Sequence, residues 1–344
     1  MNVTASMNDR TGLYPLLFEH NLFELVWGGC RLKPLKGLPA DDAPIGESWE
    51  VSAVEGKESV VSNGPLKGRR LTEVVDAYGG TFLGKKVERM YDGRFPLLIK
   101  FIDAARDLSI QVHPNDQLAR ERHGCLGKTE MWFVMDAEPG ASLYSGFNQP
   151  ISKYEYEKRV EDGSICEVLQ RHDVKQGDVF FIPAGRVHAI CGGLMIAEIQ
   201  QSSDITYRIF DYGRMGLDGR PRQLHTEQAR DAIDYKVYDS YLTNYSERTN
   251  KPVAVTACPF FTVNIHNVTR SFHRKLYKYD SFVVYLCLEG ECTIESNVDR
   301  STSVLLRKGQ SCLVPASVAD INMVPSAEAS RLLEVFIDNK HFNR

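Results

Sequence analysis

From Phe95 onward the chain is a succession of short apolar stretches, FPLLIKFI, LSIQVH, EMWFVM, GDVFFIP and GLMIAEIQ, each bounded by Gly, Pro, Asp or Asn. Runs this short and this rich in Ile, Val, Phe and Leu read as strands. Many short strands separated by turn residues predict a sandwich or a barrel. At 344 residues, 43% of them hydrophobic, the chain can bury the core of one large domain or two modest ones.

The pattern occurs twice. Gly177 DVFFI Pro183 AGRV His188 and Gly309 QSCLV Pro315 ASVA Asp320 share a glycine, five residues, a proline and a small residue two further on. Upstream, EMWFVMDAEPG ending at Gly140 pairs with DSFVVYLCLEG ending at Gly290. Two barrels of one kind are expected, joined by the polar stretch DSYLTNYSERTNK at 239–251. The division is therefore a first domain over 1–238, a linker over 239–251 and a second domain over 252–344.

Helices are fewer and well punctuated. In ISKYEYEKRVEDG, Ser152 can cap, Glu155 completes a capping box, Ile151 and Tyr156 can staple, and Gly163 ends the helix. Two more are expected, after Asn115 up to Gly124 and after Thr72 up to Gly79.

A net charge of -4 and a pI near 6.2 leave no global basic field for a nucleic acid or an anionic membrane. The N-terminal MNVTASMNDRTG lacks the apolar core of a signal peptide, and no apolar run is long enough to span a bilayer. Eight scattered cysteines form no C-x-x-C pair, which predicts reduced, mostly buried thiols and a cytoplasmic protein.

Four residues carry the chemistry. Gln111 and His113, two apart in an apolar strand, project from one face, and Pro114 ends the pairing near a rim. Glu130 opens the next strand. His188 closes the turn PAGRVH, where Gly185 permits the reversal. A lone strand histidine is more often a hydrogen-bonded core residue than a ligand, but His and Glu followed by this Gly–Pro–Gly–His spacing point to a bound divalent metal. In the second copy Glu130 becomes Asp280, His188 becomes Asp320, and Gln111 and His113 fall near Phe261 and Val263. Without imidazoles that copy is a poor transition-metal site and reads as structural.

This pair of motifs resembles the cupin superfamily, with Gln111-Val-His113 where the usual first motif has His-x-His. The Gln-x-His-Pro-x-Asp segment, Lys128-Thr-Glu130-Met-Trp, GDVFFIPAGRVHAI and IAEIQQSSDITYRIFDYGR, with GESWEVS and PLLIKFIDA upstream, together resemble the type I mannose-6-phosphate isomerases in their short bacterial form. The resemblance implies a mainly β protein of two jelly-roll-like antiparallel cupin barrels with a small helical portion between Gly140 and Gly177. It also implies one zinc ion held by Gln111, His113, Glu130 and His188, and interconversion of mannose 6-phosphate and fructose 6-phosphate through an enediolate.

Such a reaction needs a base, and Glu198 and Asp204 both match positions in the family's pocket. Arg208 matches the pocket arginine, able to clamp phosphate or to stabilise developing oxyanion charge. Lys128 shares a face with Glu130 and can reach the phosphate or the ring oxygen. Lys100, ending PLLIK, can do the same, and Trp49 can form an apolar wall. The expected partner is a phosphorylated hexose, for a monomer or homodimer. Two rival readings are a cupin iron oxygenase, against which Gln111 argues, and a non-enzymatic sugar-binding module, which an intact ligand set disfavours.

Overall fold

The structure, a computed structural model, describes residues 12–297, 300–326 and 329–338; the start of the N-terminal segment considered above lies outside them. It is mainly β and built from two similar units. In the first, six strands pair in the order Leu22–Gly29, Ile45–Val51, Leu97–Ala104, Leu194–Gln201, Glu130–Ala137 and Val179–Ile182. Opposite them run Tyr207–Phe210, Ile110–Val112, His188–Ile190, Ser142–Phe147 and Leu169–Asp173. The second unit repeats this plan with five strands facing four, and every strand pair within these sheets is antiparallel.

The expected barrels do not close. Among the described residues the hydrogen-bonded ladder of each unit ends as two separate sheets. The first unit's second sheet includes strands of three residues, Ile110–Val112 and His188–Ile190, joined to each other by the single pair Gln111 and His188. Strands that short run out of partners before they reach the facing sheet. The mouth left between the sheets is where the candidate ligands lie.

The apolar runs of the first unit are continuous because their strands are covered on both faces. Alternate residues of Leu97–Ala104 and Glu130–Ala137, such as Ile99, Phe101, Met131 and Phe133, join one core with Val263, Val284, Leu286, Leu333 and Val335 of the second unit. The other set, including Ile102, Trp132 and Val134, faces into the first unit. Each fully buried large side chain contributes about 1.5–3 kcal/mol by leaving water, so the seam is a core shared by both units. The seam also holds a buried ion pair: Lys36 Nζ donates to Glu50 Oε1 and to the Gly309 carbonyl, while Ser311 Oγ donates to Glu50 Oε2. The stretch 239–251, read as a linker, is ordered against the first unit, with Thr243 N bonded to Val179 O and the Tyr245 hydroxyl donating to Gly177 O.

The helix Lys153–Glu161 is capped by Ser152, whose hydroxyl accepts from Glu155 N, and Asp116–His123 is capped by Asn115 and ends at left-handed Gly124. Glu155 pairs with Arg159. The third expected helix starts earlier than read. It spans Leu71–Tyr78, with Thr72 inside it, because Glu73 reaches back to the Arg70 N–H and satisfies the helix entrance there. Further short helices at Gly80–Leu83, Lys85–Met90 and Thr226–Ala232 had no clear sequence signal. All eight cysteines are free, five of them buried. No helix among the described residues is long and apolar enough to cross a membrane.

Strand register corrects the residue-by-residue match between the copies. Glu130 lies opposite Ile182, and Val283 lies opposite Val314, so Val283 and not Asp280 takes the glutamate's place. The same frame, carried on from Pro183 and Pro315 through turns of equal length, keeps His188 with Asp320, each the first residue of its strand. Gln111 lies on the strand paired with His188–Ile190, and the strand paired with Asp320–Pro325 is Phe272–Lys275, so Gln111 and His113 correspond to that segment rather than to Phe261 and Val263. Counting from the closing glycines shifted the frame because the first copy's loop before Gly140 is longer than the tight turn at Gly290. Asp280 instead accepts from the Lys85 and Lys86 N–H groups, and Asp320 sits 3.2 Å from His273.

Candidate metal centre and its cavity

Alternation along two strands and one glycine turn bring the donor set together. His113 Nε2 lies 3.1 Å from Glu130 Oε1, His188 Nε2 lies 3.8 Å from Glu130 Oε2, and all three residues are buried. The histidine rings stand 4.8 Å apart. Gln111 reaches the same point with its amide nitrogen 3.3 Å from His188 Nε2, while its oxygen accepts from Ser109 Oγ at 3.4 Å. Gly185, at φ +90°, makes the turn that returns the chain to His188.

The ring orientations are set from behind. His113 Nδ1 is 2.9 Å from the Ile205 carbonyl and His188 Nδ1 is 2.8 Å from the Arg186 carbonyl. A carbonyl only accepts, so both Nδ1 atoms carry the proton and both Nε2 lone pairs face inward. His113 Nε2 and Glu130 Oε1 are then two acceptors facing each other, and both are buried without a hydrogen-bond partner. Two such acceptors repel unless a cation lies between them. Burial, then the Lys128 ammonium, lowers His113 to about 3, which keeps its ring neutral and able to donate a lone pair. Burial alone would raise Glu130, but the Lys128 ammonium leads the neighbours that outweigh it and hold the carboxylate well below the usual range. Two neutral imidazoles and a carboxylate suit a divalent ion such as zinc, and a turn of the Gln111 amide would add its oxygen to them. Among the described residues this is the only cluster of three or more His, Cys, Asp or Glu side chains able to hold one.

A cavity of about 400 Å³ reaches this centre through Gln111, Lys128 and Trp132, with His113, Glu130 and His188 behind its lining. Lys100, Glu198, Lys128, Trp49, Asp204 and Arg208 all line it, so every residue singled out around the ligand set converges there. Glu198 lies directly across from Lys100 on the neighbouring strand, with Lys100 Nζ 3.3 Å from Glu198 Oε2. Burial, then the nearby Glu130 charge, raises Glu198 to about 7. Lys128 Nζ is 3.2 Å from Glu130 Oε1. Arg208 donates to Ser109 Oγ and the Gln223 carbonyl, and among the described residues it has no carboxylate partner within 4.0 Å. Asp204 stands at the mouth, half-exposed and paired with Lys57 at 3.2 Å. Lys57 and Lys100 both lie over the Trp49 ring.

Some lining residues escaped the sequence reading. Glu47 bridges Lys100 and the Trp49 ring N–H, and Trp132 Nε1 donates to both Glu130 and Glu198. Glu47, Ser109 and Trp132 lie two positions from Trp49, Gln111 and Glu130, so carrying the strand alternation one step further would have found them. Arg222 and His225 come from an irregular segment, and nothing in their local sequence marks them. The larger cavity, about 710 Å³, lies along Thr72, Asp76 and Tyr91 to Pro96, and the ligand cluster is not part of its lining.

Comparison with known proteins agrees with this geometry. Residues 20–133 match the family described as phosphomannose isomerase type I, catalytic domain, and residues 250–331 match mannose-6-phosphate isomerase, cupin domain. Mannose-6-phosphate isomerase ManA of Bacillus subtilis is 34% identical over 317 residues, covering 91% of this chain and 97% of that protein. The mannose-6-phosphate isomerase of Streptococcus mutans is 34% identical over 305 residues, 88% of this chain and 93% of its own length. The crystal structure of the mannose 6-phosphate isomerase from Bacillus subtilis superposes with a TM-score of 0.83 at 30% identity, covering 93% of this chain and 99% of that one.

Proposed function

The chain belongs to the type I phosphomannose isomerases, and from that premise we propose that it interconverts mannose 6-phosphate and fructose 6-phosphate in the cavity beside Gln111, His113, Glu130 and His188. The observation that carries this reading is the pair of buried acceptors, His113 Nε2 and Glu130 Oε1, 3.1 Å apart with no hydrogen-bond donor between them, Lys128 Nζ lying 3.2 Å from the carboxylate oxygen. A divalent cation between them satisfies both, and the four residues suit zinc, one per chain. Bound there, the metal supplies Lewis acidity toward the sugar's oxygens and stabilises the negative charge of an enediolate.

The remaining steps fall to side chains. Glu198 is the base: its carboxylate takes the proton from the carbon beside the carbonyl and returns it to the neighbouring carbon. Its buried place favours it over Asp204, whose half-exposed carboxylate is paired with Lys57. Trp132 and Lys100 hold one oxygen each of the Glu198 carboxylate, which fixes its aim. Arg208, free of a carboxylate, is the cation best able to take the phosphate or an oxyanion. Lys128, already neutralised by Glu130, serves orientation near the metal. Trp49 walls the sugar's apolar face. The free cysteines support a reducing, cytoplasmic setting.

The test is conversion of mannose 6-phosphate by the purified protein, before and after chelation, with zinc, manganese or iron added back. Activity lost on chelation and restored by zinc supports the reading. A protein inactive with every metal and holding iron on purification would refute it in favour of an oxygenase.

A further inference from the structure

Gln111 and His113 stand on one strand and Glu130 on another, and between them the chain leaves the sheet as the helix Asp116–His123 and returns through residues 124–129. The halves of the donor set therefore hang on opposite ends of an excursion, and something must bring its end back to its beginning. The return is gripped at one point. Asp116 Oδ1 accepts from Gly127 N at 2.8 Å and from Gln201 Nε2 at 2.9 Å. Gln201, 1% exposed, uses its Oε1 to accept from Thr129 N at 2.9 Å, and Lys128 N bonds to Pro114 O at 3.1 Å. The approach is so close that a Cβ on Gly127 would lie 2.5 Å from Asp116 N and 2.6 Å from Asn115 C. Glycine at 127 is demanded by that contact.

We propose that Asp116, Gln201 and Gly127 form a clasp that positions Lys128 and Glu130 against Gln111 and His113. All three are positioning residues, since they touch neither the metal donors' inward atoms nor the cavity. The motif Gln-x-His-Pro-x-Asp then has a physical reason for its spacing: the strand supplies two donors, Pro114 ends it, and Asp116, in the first turn of the following helix, ties down the segment bearing the third. Gln201, at the end of the strand that carries Glu198, links the same knot to the proposed base. Partners of this kind, behind the ligands themselves, typically alter metal affinity or activity by about 10–100-fold when removed.

The inference rests on the isomerase reading for its catalytic consequence, and cobalt binding separates the two. The apo-protein is titrated with Co²⁺, following its visible ligand-field bands, and kcat, KM and Tm are measured alongside. Asp116→Ala removes the acceptor; Gly127→Ala pushes the two segments apart with every polar side chain intact. Both are expected to weaken Co²⁺ by about 10–100-fold, to change the bands, and to lower kcat more than they raise KM. Asp116→Asn keeps an oxygen able to accept both N–H groups and is expected to restore the parent bands and affinity. If Asp116→Ala does not fold, Gly127→Ala carries the comparison. Variants with lower Tm but parent bands, affinity and kcat overturn the proposal, as does an Asp116→Asn protein as impaired as Asp116→Ala. A parent protein that binds Co²⁺ yet leaves mannose 6-phosphate unchanged refutes the functional reading and leaves the clasp to be judged on the cobalt bands alone.

Discussion

Glu198 and Glu334 occupy matching places in the two units, each in the interior of its own sheet pair. Glu198 lies across from Lys100 and Trp132; Glu334 lies across from Asn264 and Tyr285. Burial pushes both toward the protonated form, and their neighbours decide the outcome. Around Glu334 the Asn264 amide and the Tyr285 hydroxyl each donate at 2.8 Å, His266 lies 3.3 Å away, and Arg274 closes on both oxygens at 2.7–2.9 Å. That carboxylate is held well below the usual range, with His266 and Arg274 offsetting its burial. Around Glu198 stand one ammonium and one indole N–H, with the Glu130 charge nearby and an open cavity beside them, and it rises to about 7. Arg274 lies on Phe272–Lys275, the strand that takes the place of Ile110–Val112 in the second unit, so an internal guanidinium comes from the element that bears Gln111 in the first. One architecture thus supports a site where its buried acids are left partly unsatisfied, and a sealed core where they are fully paired.

The strongest way to break the contrast is to give the first unit the second unit's lack of a donor. His188→Ala is expected to abolish metal retention and to reduce turnover by at least about 10⁴-fold, some 5.5 kcal/mol, read by metal analysis and isomerase assay together. Retained metal with full activity would mean the ion is held elsewhere. Glu198→Gln comes next, with an expected loss of about 10³-fold in kcat and metal content unchanged. As the proposed base, Glu198 must be deprotonated to act, so the parent's activity should rise with pH through about 7 and level off above it; the variant should lose that limb.

In the second unit the expected effects are on stability alone. Arg274→Met leaves Glu334 buried without its main cation and should cost about 3 kcal/mol in denaturant unfolding, with kcat unchanged. A fall in kcat at constant stability would contradict the structural role of that cluster. The smallest effect is the acid dependence. Glu334 has a depressed folded pKa, so its stabilisation is complete above the unfolded carboxylate range and is lost as pH falls below it. Between pH 7 and pH 3 that amounts to about 2 kcal/mol, taking an unfolded value near 4.3. Glu334→Gln should flatten this part of the pH–stability curve, and an unaltered slope would assign the acid sensitivity to other groups.

Much of the candidate site was legible because strand and turn chemistry are local. Two-residue alternation placed Gln111 with His113 and Lys128 with Glu130, and the proline–glycine turn at Pro183 and Gly185 delivered His188. The helix capped by Ser152 was legible for the same reason. The match between the copies was legible as a repeat and misplaced in frame, since a few residues added to one turn are invisible until hydrogen bonds fix which residue faces which.

By itself, then, the amino-acid order determined a mainly β chain with a repeated motif, the donor types, and the face from which each projects. Only the tertiary structure decided that the sheets stay open, that Glu198 and Lys100 meet, that Arg222 and His225 reach the cavity, and that Arg274 closes on Glu334 inside the second unit. The reason is physical. Side-chain direction follows from backbone period within a few residues, whereas the closing of two sheets and the charge state of a buried acid depend on groups brought together from distant parts of the chain.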